Sequence, residues 1–328
     1  MVDRFCRCAL LGLALLLVAP AHQAAAQSRP VTLVVPFAAG GGTDTVARLI
    51  GEHMARTLRQ NVIIENVTGG GSTVANERVA RSSPDGSVVL INHVALLAAP
   101  SLFTNLRYDT ATAFEPIGLV NNAPMVLIGR KSIPGSGPRD LVAWIKQQGE
   151  KANFAHGGIG TNSHLCAVMM GNALGFKPTI VAYRGSNPAI ADLLAGQIDL
   201  LWDQLTNALP HIQAGTLHGI AITSKERLEQ LKDVPTTAEL GMPEVSYTMW
   251  HGLYVAKGTP QERIAALNAA LREAVSDASI TEKLKQLGSL PFPREEMTPQ
   301  AHARLFAADL PRVAKLVESS GIKASEAK

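Results

Sequence analysis

The residues best placed to do chemistry in this 328-residue chain are glycines. Pro36-Phe37-Ala38-Ala39-Gly40-Gly41-Gly42-Thr43-Asp44 follows the apolar run from Val31 to Val35, which reads as strand, glycine turn and helix. Small residues free the backbone there, and the side-chain oxygens of Thr43 and Asp44 can cap the first helical turn. Such a turn aims several N–H groups at one point. With the positive end of a helix dipole behind it, that point attracts an anion without Lys or Arg. The same stretch also reads as a plain strand-to-helix connection, and the rest of the chain has to decide. A second turn of this kind, His156-Gly157-Gly158-Ile159-Gly160-Thr161-Asn162-Ser163, follows a short strand around Asn153 to Ala155 and opens another helix.

Motifs for covalent or nucleotide chemistry are missing. There is no Gly-x-x-x-x-Gly-Lys, no Gly-x-Ser-x-Gly and no His-Glu-x-x-His, and Ser163 stands where a dinucleotide fingerprint needs its third glycine. The nine histidines are dispersed singly, which predicts no metal site, and no cofactor is expected. His164 reads as a packing or capping residue. Asp199 and Asp203 flank an apolar strand from Ile198 to Trp202 with no nucleophile or proton target to serve. What remains suits holding a solute: two sets of N–H donors that can close on it from opposite sides, with Phe37, Tyr183 and Trp250 as candidate walls.

These turns must be positioned by α/β architecture, because strand-length apolar runs alternate with helical periodicity along most of the chain and predict mainly parallel sheets. Helices are expected from Thr43 to Leu58, Val74 to Ala80, Arg139 to Gln148 and Pro188 to Leu194. Strands are expected at 61–66, 88–92, 179–182, 198–202, 217–222 and 250–256, with separate apolar runs at 117–120 and 125–128. Gly69-Gly70-Gly71-Ser72 reads as a flexible turn. Thr259-Pro260-Gln261-Glu262 predicts a capping box, and Ser279 and Thr298 predict two further helix starts.

Residues 1–26 carry Arg4 and Arg7, an apolar run from Ala9 to Ala19 and a small-residue end at Ala24-Ala25-Ala26, the layout of a cleavable signal peptide. Their removal lowers the formal charge from +3 to +2, too near balance to suggest a nucleic acid or an anionic membrane as partner. It also leaves Cys166 as the only cysteine, read as a buried, inert thiol within an apolar helix.

In order and spacing the chain resembles the periplasmic substrate-binding proteins of tripartite tricarboxylate transporters, the Bug-type receptors. The resemblance covers essentially the whole chain after residue 26. It is carried by Pro36-Phe37-x-x-Gly40-Gly41-x-x-Asp44-x-x-Ala47-Arg48, Glu65-Asn66, Pro84-Asp85-Gly86, Gly158-x-Gly160-x-x-x-His164-Leu165, Tyr183-Arg184-Gly185, Leu194-Ala195-Gly196-Gln197-Ile198-Asp199, Pro235-Thr236-x-x-Glu239-x-Gly241 and Trp250-x-Gly252-Leu253.

The resemblance implies a type II periplasmic-binding-protein fold, two α/β domains with a ligand cleft between them: domain 1 from 27–127 and 249–328, domain 2 from 128–248. It implies a non-enzymatic, monomeric periplasmic receptor that takes a small organic carboxylate to the membrane subunits of a transporter. It assigns ligand contacts to Phe37, Ala38, Ala39, Gly40, Gly41, Thr43 and Asp44 on the first turn and to Gly158, Ile159, Gly160, Thr161 and Ser163 on the second, with Tyr183 and Asp203 beside them. Two departures from the family stand out: Ala39 where Pro is common, which loosens the turn, and Val168 where Glu is common, which removes a charge near the second turn. A β-branched residue at Gly41 is expected to abolish carboxylate binding. The alternatives are a ligand sensor for a membrane kinase and a hydrolase or lyase using His164 with Asp203.

Overall fold

The computed structural model describes residues 29–319 and 321–324, so the signal-peptide reading of 1–26, with Cys6 and Cys8, lies outside the described residues. The described residues begin with β1 (Val31–Val35), α1 (Gly42–Leu58), β2 (Val62–Asn66), α2 (Thr73–Ala80), β3 (Val88–Asn92) and α3 (Val94–Leu102). Strands β2, β1 and β3 lie side by side and parallel, with Val34 opposite both Glu65 and Leu90. Helix α1 follows β1 because Val46, Ile50 and Met54 recur on one face and are buried. Helix α3 has no periodic signal: it is apolar all round because nearly every residue is buried, and Pro100 sits within it.

The long strand β4 (Phe114–Arg130) replaces the two separate runs expected from the sequence. Its first part, to Pro124, pairs antiparallel with β9 (Thr248–Ala256), and Met125 to Arg130 pairs antiparallel with β7 (Leu200–Gln204) and β8 (Leu217–Ile222). One strand therefore runs from one half of the sheet into the other. Around its second part lie α4 (Pro138–Gln148), β5 (Asn153–His156), α5 (Asn162–Leu174), β6 (Thr179–Ala182), α6 (Ser186–Leu194) and α7 (Leu205–Gln213). The chain returns beside the crossing: the Thr223 N–H donates to the Met125 carbonyl at 2.9 Å, Thr223 Oγ1 accepts from the Met125 N–H at 2.9 Å, and the Thr223 hydroxyl donates to the Tyr247 carbonyl. It closes with β9, α8 (Gln261–Ser276), α9 (Ala278–Gln286), the short β10 (Leu290–Pro291) against β4, and α10 (Pro299–Ser319).

The strand order β2-β1-β3-β9-β4-β7-β5-β6 is mixed rather than mainly parallel. The β2-β1-β3 and β7-β5-β6 groups are parallel, whereas β9, β4 and β8 enter antiparallel because the chain crosses and recrosses between halves. One core face joins Val46, Ile50 and Met54 to Leu267 and Leu271 of α8. A second, under α3 and α10, holds Tyr254 and Trp250 and continues to Trp202, Phe154 and Cys166, so it welds the halves together. A third seats α6 and α7 on Leu201, Ile128 and Val126.

Helix starts differ in detail from expectation. Helix α8 begins after Pro260 without a side-chain cap, because the Thr259 hydroxyl donates to the Ala256 carbonyl at 2.8 Å. Asp277, not Ser279, caps α9 and accepts from the Ser279 and Ile280 N–H groups. Thr298 does cap α10, accepting from the Ala301 N–H at 3.1 Å. Among the described residues no helix is long and apolar enough to cross a membrane.

Candidate functional site

In sheets built from parallel strands, the carboxyl ends of the strands leave a crevice where connections diverge. Here the ends of β1, β3, β5, β6 and β7 converge on such a crevice. It has two joined parts. The inner part is a space of about 30 Å³ whose lining includes Gly41, Gly42, Thr43, Asn162, Ser163 and Gln204. The outer part is a groove of about 670 Å³ lined by Phe37, Gly69 to Ser72, Phe103, Gly158, Ile159, Tyr183 and Arg184 among others. Phe37 and Gly157 border both.

The two halves touch across the crevice. The Ala38 N–H donates to the Arg184 carbonyl at 3.0 Å, Asn187 Nδ2 donates to the Ala39 carbonyl at 2.9 Å, and Gln204 Nε2 donates to Thr43 Oγ1 at 3.2 Å. Gly71 comes so close that a Cβ there would lie 2.2 Å from the Ile159 carbonyl oxygen. The turns thus face each other in a closed arrangement.

Each turn is braced by its own side chains. The buried Asp44 carboxylate accepts from the Gly40 N–H at 2.7 Å, from Asn66 Nδ2 at 2.9 Å and from Arg48 Nε at 2.8 Å. Burial pushes its pKa up, but the bonds from Arg48, Gly40 and Asn66 outweigh that and hold it below the ordinary carboxylate value. Gly40 takes the left-handed conformation, φ 77°, that lets this loop close. On the second turn the imidazoles of His156 and His164 stack 4.4 Å apart, their Nδ1 atoms accepting from the Gly158 and Gly160 N–H groups. Burial drives both pKa values down, to about 3 and about 4, so both rings are neutral.

Behind the inner space runs a chain of hydrogen bonds. Thr43 Oγ1 lies 3.0 Å from His251 Nε2, and His251 Nδ1 lies 2.9 Å from Asn121 Oδ1, whose amide nitrogen donates to Ser289 Oγ. His93 stacks on Phe37 at 4.8 Å and 8°, and burial lowers its pKa to about 3. Asp203 accepts from Ser186 Oγ, from the Gln204 N–H and from Asn207 Nδ2, and its burial raises its pKa to about 6.

Of the residues expected from the sequence, Phe37, Gly41, Thr43, Gly158, Ile159, Thr161, Ser163, Tyr183 and Asp203 line the crevice. Ala38, Ala39, Gly40, Asp44 and Gly160 are not among its lining residues and serve instead to build the turns and latch them. Trp250 is not a wall: its indole N–H donates to Asp309 at 2.8 Å beneath α10. Val168 lines a separate groove of about 720 Å³ with Phe176 and Ile322, so the missing family Glu is not a change at the crevice. Gly41 has φ −72°, and a Cβ there would make only ordinary contacts, 3.5 Å from the Ala38 carbonyl oxygen, whereas a Cβ on Gly42 would meet Gln204 Oε1 at 2.2 Å. Sequence reasoning missed His93, Asn162, Arg184, Ser186, Gln204 and the Gly69-Gly70-Gly71 run. The glycine run carried a local signal, and Asn162 and Arg184 lay within quoted motifs, whereas His93, Ser186 and Gln204 carried none.

Residues 46–322 match the family model for the tripartite tricarboxylate transporter family receptor, TctC. The chain belongs to this receptor family. It is 39% identical to the periplasmic binding protein BugD, with a TM-score of 0.88 over 91% of this chain and 99% of that one. MatC from Rhodopseudomonas palustris, solved with bound malate, is 36% identical with a TM-score of 0.84, over 88% and 99%. An R. palustris protein solved with adipate is 30% identical with a TM-score of 0.85, over 91% and 99%. The TctC receptors are binding proteins, not enzymes, and the fold is the α/β periplasmic-binding-protein fold. The catalytic alternative has no geometric support either, since His164 lines the groove at Val168 and its Nδ1 is bonded to Gly160. Among the described residues no group of three or more His, Cys, Asp or Glu is placed to hold a metal ion.

Proposed function

We propose that this TctC-family receptor works in the periplasm after removal of residues 1–26, captures a small organic carboxylate between its two glycine turns and delivers it to the membrane subunits of a tripartite transporter. The observation that carries this reading is the inner space, where the first turns of α1 and α5 meet. First-turn N–H groups have no intrahelical acceptor, and two opposed helix N-termini favour negative charge between them. The groups around that space are kept from adding a cation: His93 and His251 are neutral through burial. Malate and adipate on the two relatives support a carboxylate as the solute class.

On this reading the halves 27–127 with 249–328, and 128–248, are domains that open and close about the β4 crossing and the return past Thr223. The receptor acts as a monomer, without nucleic acid. A thermal-shift screen of mono- and dicarboxylates, amino acids and aromatic acids tests the proposal. A ligand at one hundred times its Kd adds about 2.7 kcal/mol of stability. Stabilisation by at least one carboxylate is expected; a flat response to all of them overturns it.

A further inference from the structure

We propose that the groove between α5, β6 and residues 321–323 is a second ligand site, separate from the crevice, for a small organic acid with an apolar body: His164 Nε2–H donates to the acid group, and Lys177 and Lys323 balance its charge. The site is independent of the solute held in the crevice.

The groove measures about 720 Å³ and shares no lining residue with either part of the crevice. Sites for small molecules have this size and pair apolar walls with a few fixed polar groups. The walls here come from Val168 of α5, from Phe176 and Pro178 in the connection that follows, and from Ile180 of β6.

The fixed polar group is His164, which is 6% exposed and lines the groove. Its Nδ1 accepts from the Gly160 N–H at 3.1 Å, so the neutral ring carries its proton on Nε2. The ring is also stacked on His156 at 4.4 Å, which holds it in place. Among the described residues Nε2 has no hydrogen-bond partner, yet it is not one of the atoms sealed inside the protein without one. It therefore opens into the groove as an oriented donor that lacks an acceptor. A donor this deep is reached by a group that enters the groove, not by a protein surface lying across the mouth.

Charge sets the sign of that group. Lys177 and Lys323 line the groove and are exposed, neither has an ion-pair partner among the described residues, and no Asp or Glu lines the space. Their flexible four-carbon stems let both ammonium groups turn onto one anion. A carboxylate or sulfonate answers both demands, as acceptor for Nε2–H and as counter-charge for the lysines, while its apolar remainder covers Phe176 and Val168. A neutral amide answers only the first. An amine answers neither, since it has no acceptor for Nε2–H and is repelled by the lysines.

The test uses the protein lacking residues 1–26. The probe is 8-anilinonaphthalene-1-sulfonate, an apolar anion that fluoresces in dry sites, displaced by 2-naphthoate, 4-phenylbutyrate and the uncharged 2-naphthamide. Saturable probe binding is expected, with both acids displacing it and the amide at least about tenfold weaker than 2-naphthoate. Val168→Glu puts a carboxylate in the groove and should weaken the probe at least about tenfold. The double change Lys177→Glu with Lys323→Glu, at two exposed positions, should do the same and gives an independent result where Val168→Glu does not fold. It should leave the response of the crevice to carboxylates in the thermal-shift screen unchanged. His164→Phe keeps an aromatic ring against His156 but removes the donor, and should weaken the probe about tenfold. Probe affinity unchanged in both charge variants puts the probe elsewhere and overturns the inference. So do absence of saturable binding and equal displacement by 2-naphthamide. Undiminished binding in His164→Phe overturns the role of the histidine.

Discussion

Buried histidine makes this protein acid-labile well above the usual carboxylate range. His93, His156, His164, His251 and His302 are all buried, with pKa values lowered to about 3, about 3, about 4, well below 6.5 and about 3. Burial, which penalises the imidazolium, is the leading cause in each. The folded pKa is depressed, so each contributes stability that is present above 6.5 and is lost as pH falls toward the folded value. Asp203 runs the other way: its folded pKa, raised to about 6, adds stability as pH drops below that value. Counting only His93, His156, His164 and His302, unfolding at pH 5 takes up close to four protons on histidines and releases about one from Asp203, a slope of about 4 kcal/mol per pH unit, to which His251 adds in the same direction. Integrated from pH 8, the net loss from these groups is about 5 kcal/mol by pH 5.5 and about 7 kcal/mol by pH 5, against a whole-domain stability of about 5–15 kcal/mol. Urea titrations followed by tryptophan fluorescence and circular dichroism at pH 8, 7, 6 and 5.5 should show the unfolding free energy collapsing across this window. His302 offers an internal control, because neither ring nitrogen has a hydrogen-bond partner among the described residues and the ring sits against Trp250 and Tyr254. His302→Leu should flatten the slope by about 1.4 kcal/mol per pH unit. A wild-type slope below about 1 kcal/mol per pH unit between pH 6.5 and 5.5 would refute the reasoning, showing that the rings protonate without unfolding.

Two further perturbations separate turn geometry from closure. Gly42→Ala should lower the melting temperature modestly, because the new Cβ displaces the buried Gln204 and breaks its bond to Thr43, and should weaken carboxylate binding about tenfold; Gly41→Ala should stay within about threefold, and calorimetry showing equal losses would sink the distinction. Asn187→Ala removes the side chain that clasps the Ala39 carbonyl across the crevice, and is expected to weaken binding about three- to tenfold with no change in unliganded stability, read as a faster off-rate in surface binding.

The alternation of elements was legible because amphipathic helices and short buried strands leave periodic traces. Helix α3 left none, being buried on all sides, and β4 read as two runs because Asn121, Asn122 and Pro124 interrupt its apolar pattern where its partner changes from β9 to β7 and β8. The two jaws were legible for the same local reason, their glycines. Their accessories were not. His93 follows β3 and Gln204 ends β7; they share a crevice only through the sheet order, and single residues at strand ends carry no local mark.

The structure also divides the turn N–H groups into two kinds that sequence cannot separate. Those of Gly40, Gly158 and Gly160 are used by Asp44, His156 and His164, and that of Ala38 by the Arg184 carbonyl beyond β6. The glycines with left-handed backbone are thus bonded inward, and their conformation serves to aim the helix that follows. The donors left for an anion on the proposed reading are those of the first helical residues, Gly42 and Thr43 on one side and Asn162 and Ser163 on the other. A carboxylate held this way meets dipoles and neutral amides throughout. Its affinity then depends on how closely the two helix ends approach, which is why the contacts that latch the turns, and the glycine that admits Gln204 between them, matter more than any charged side chain in the crevice.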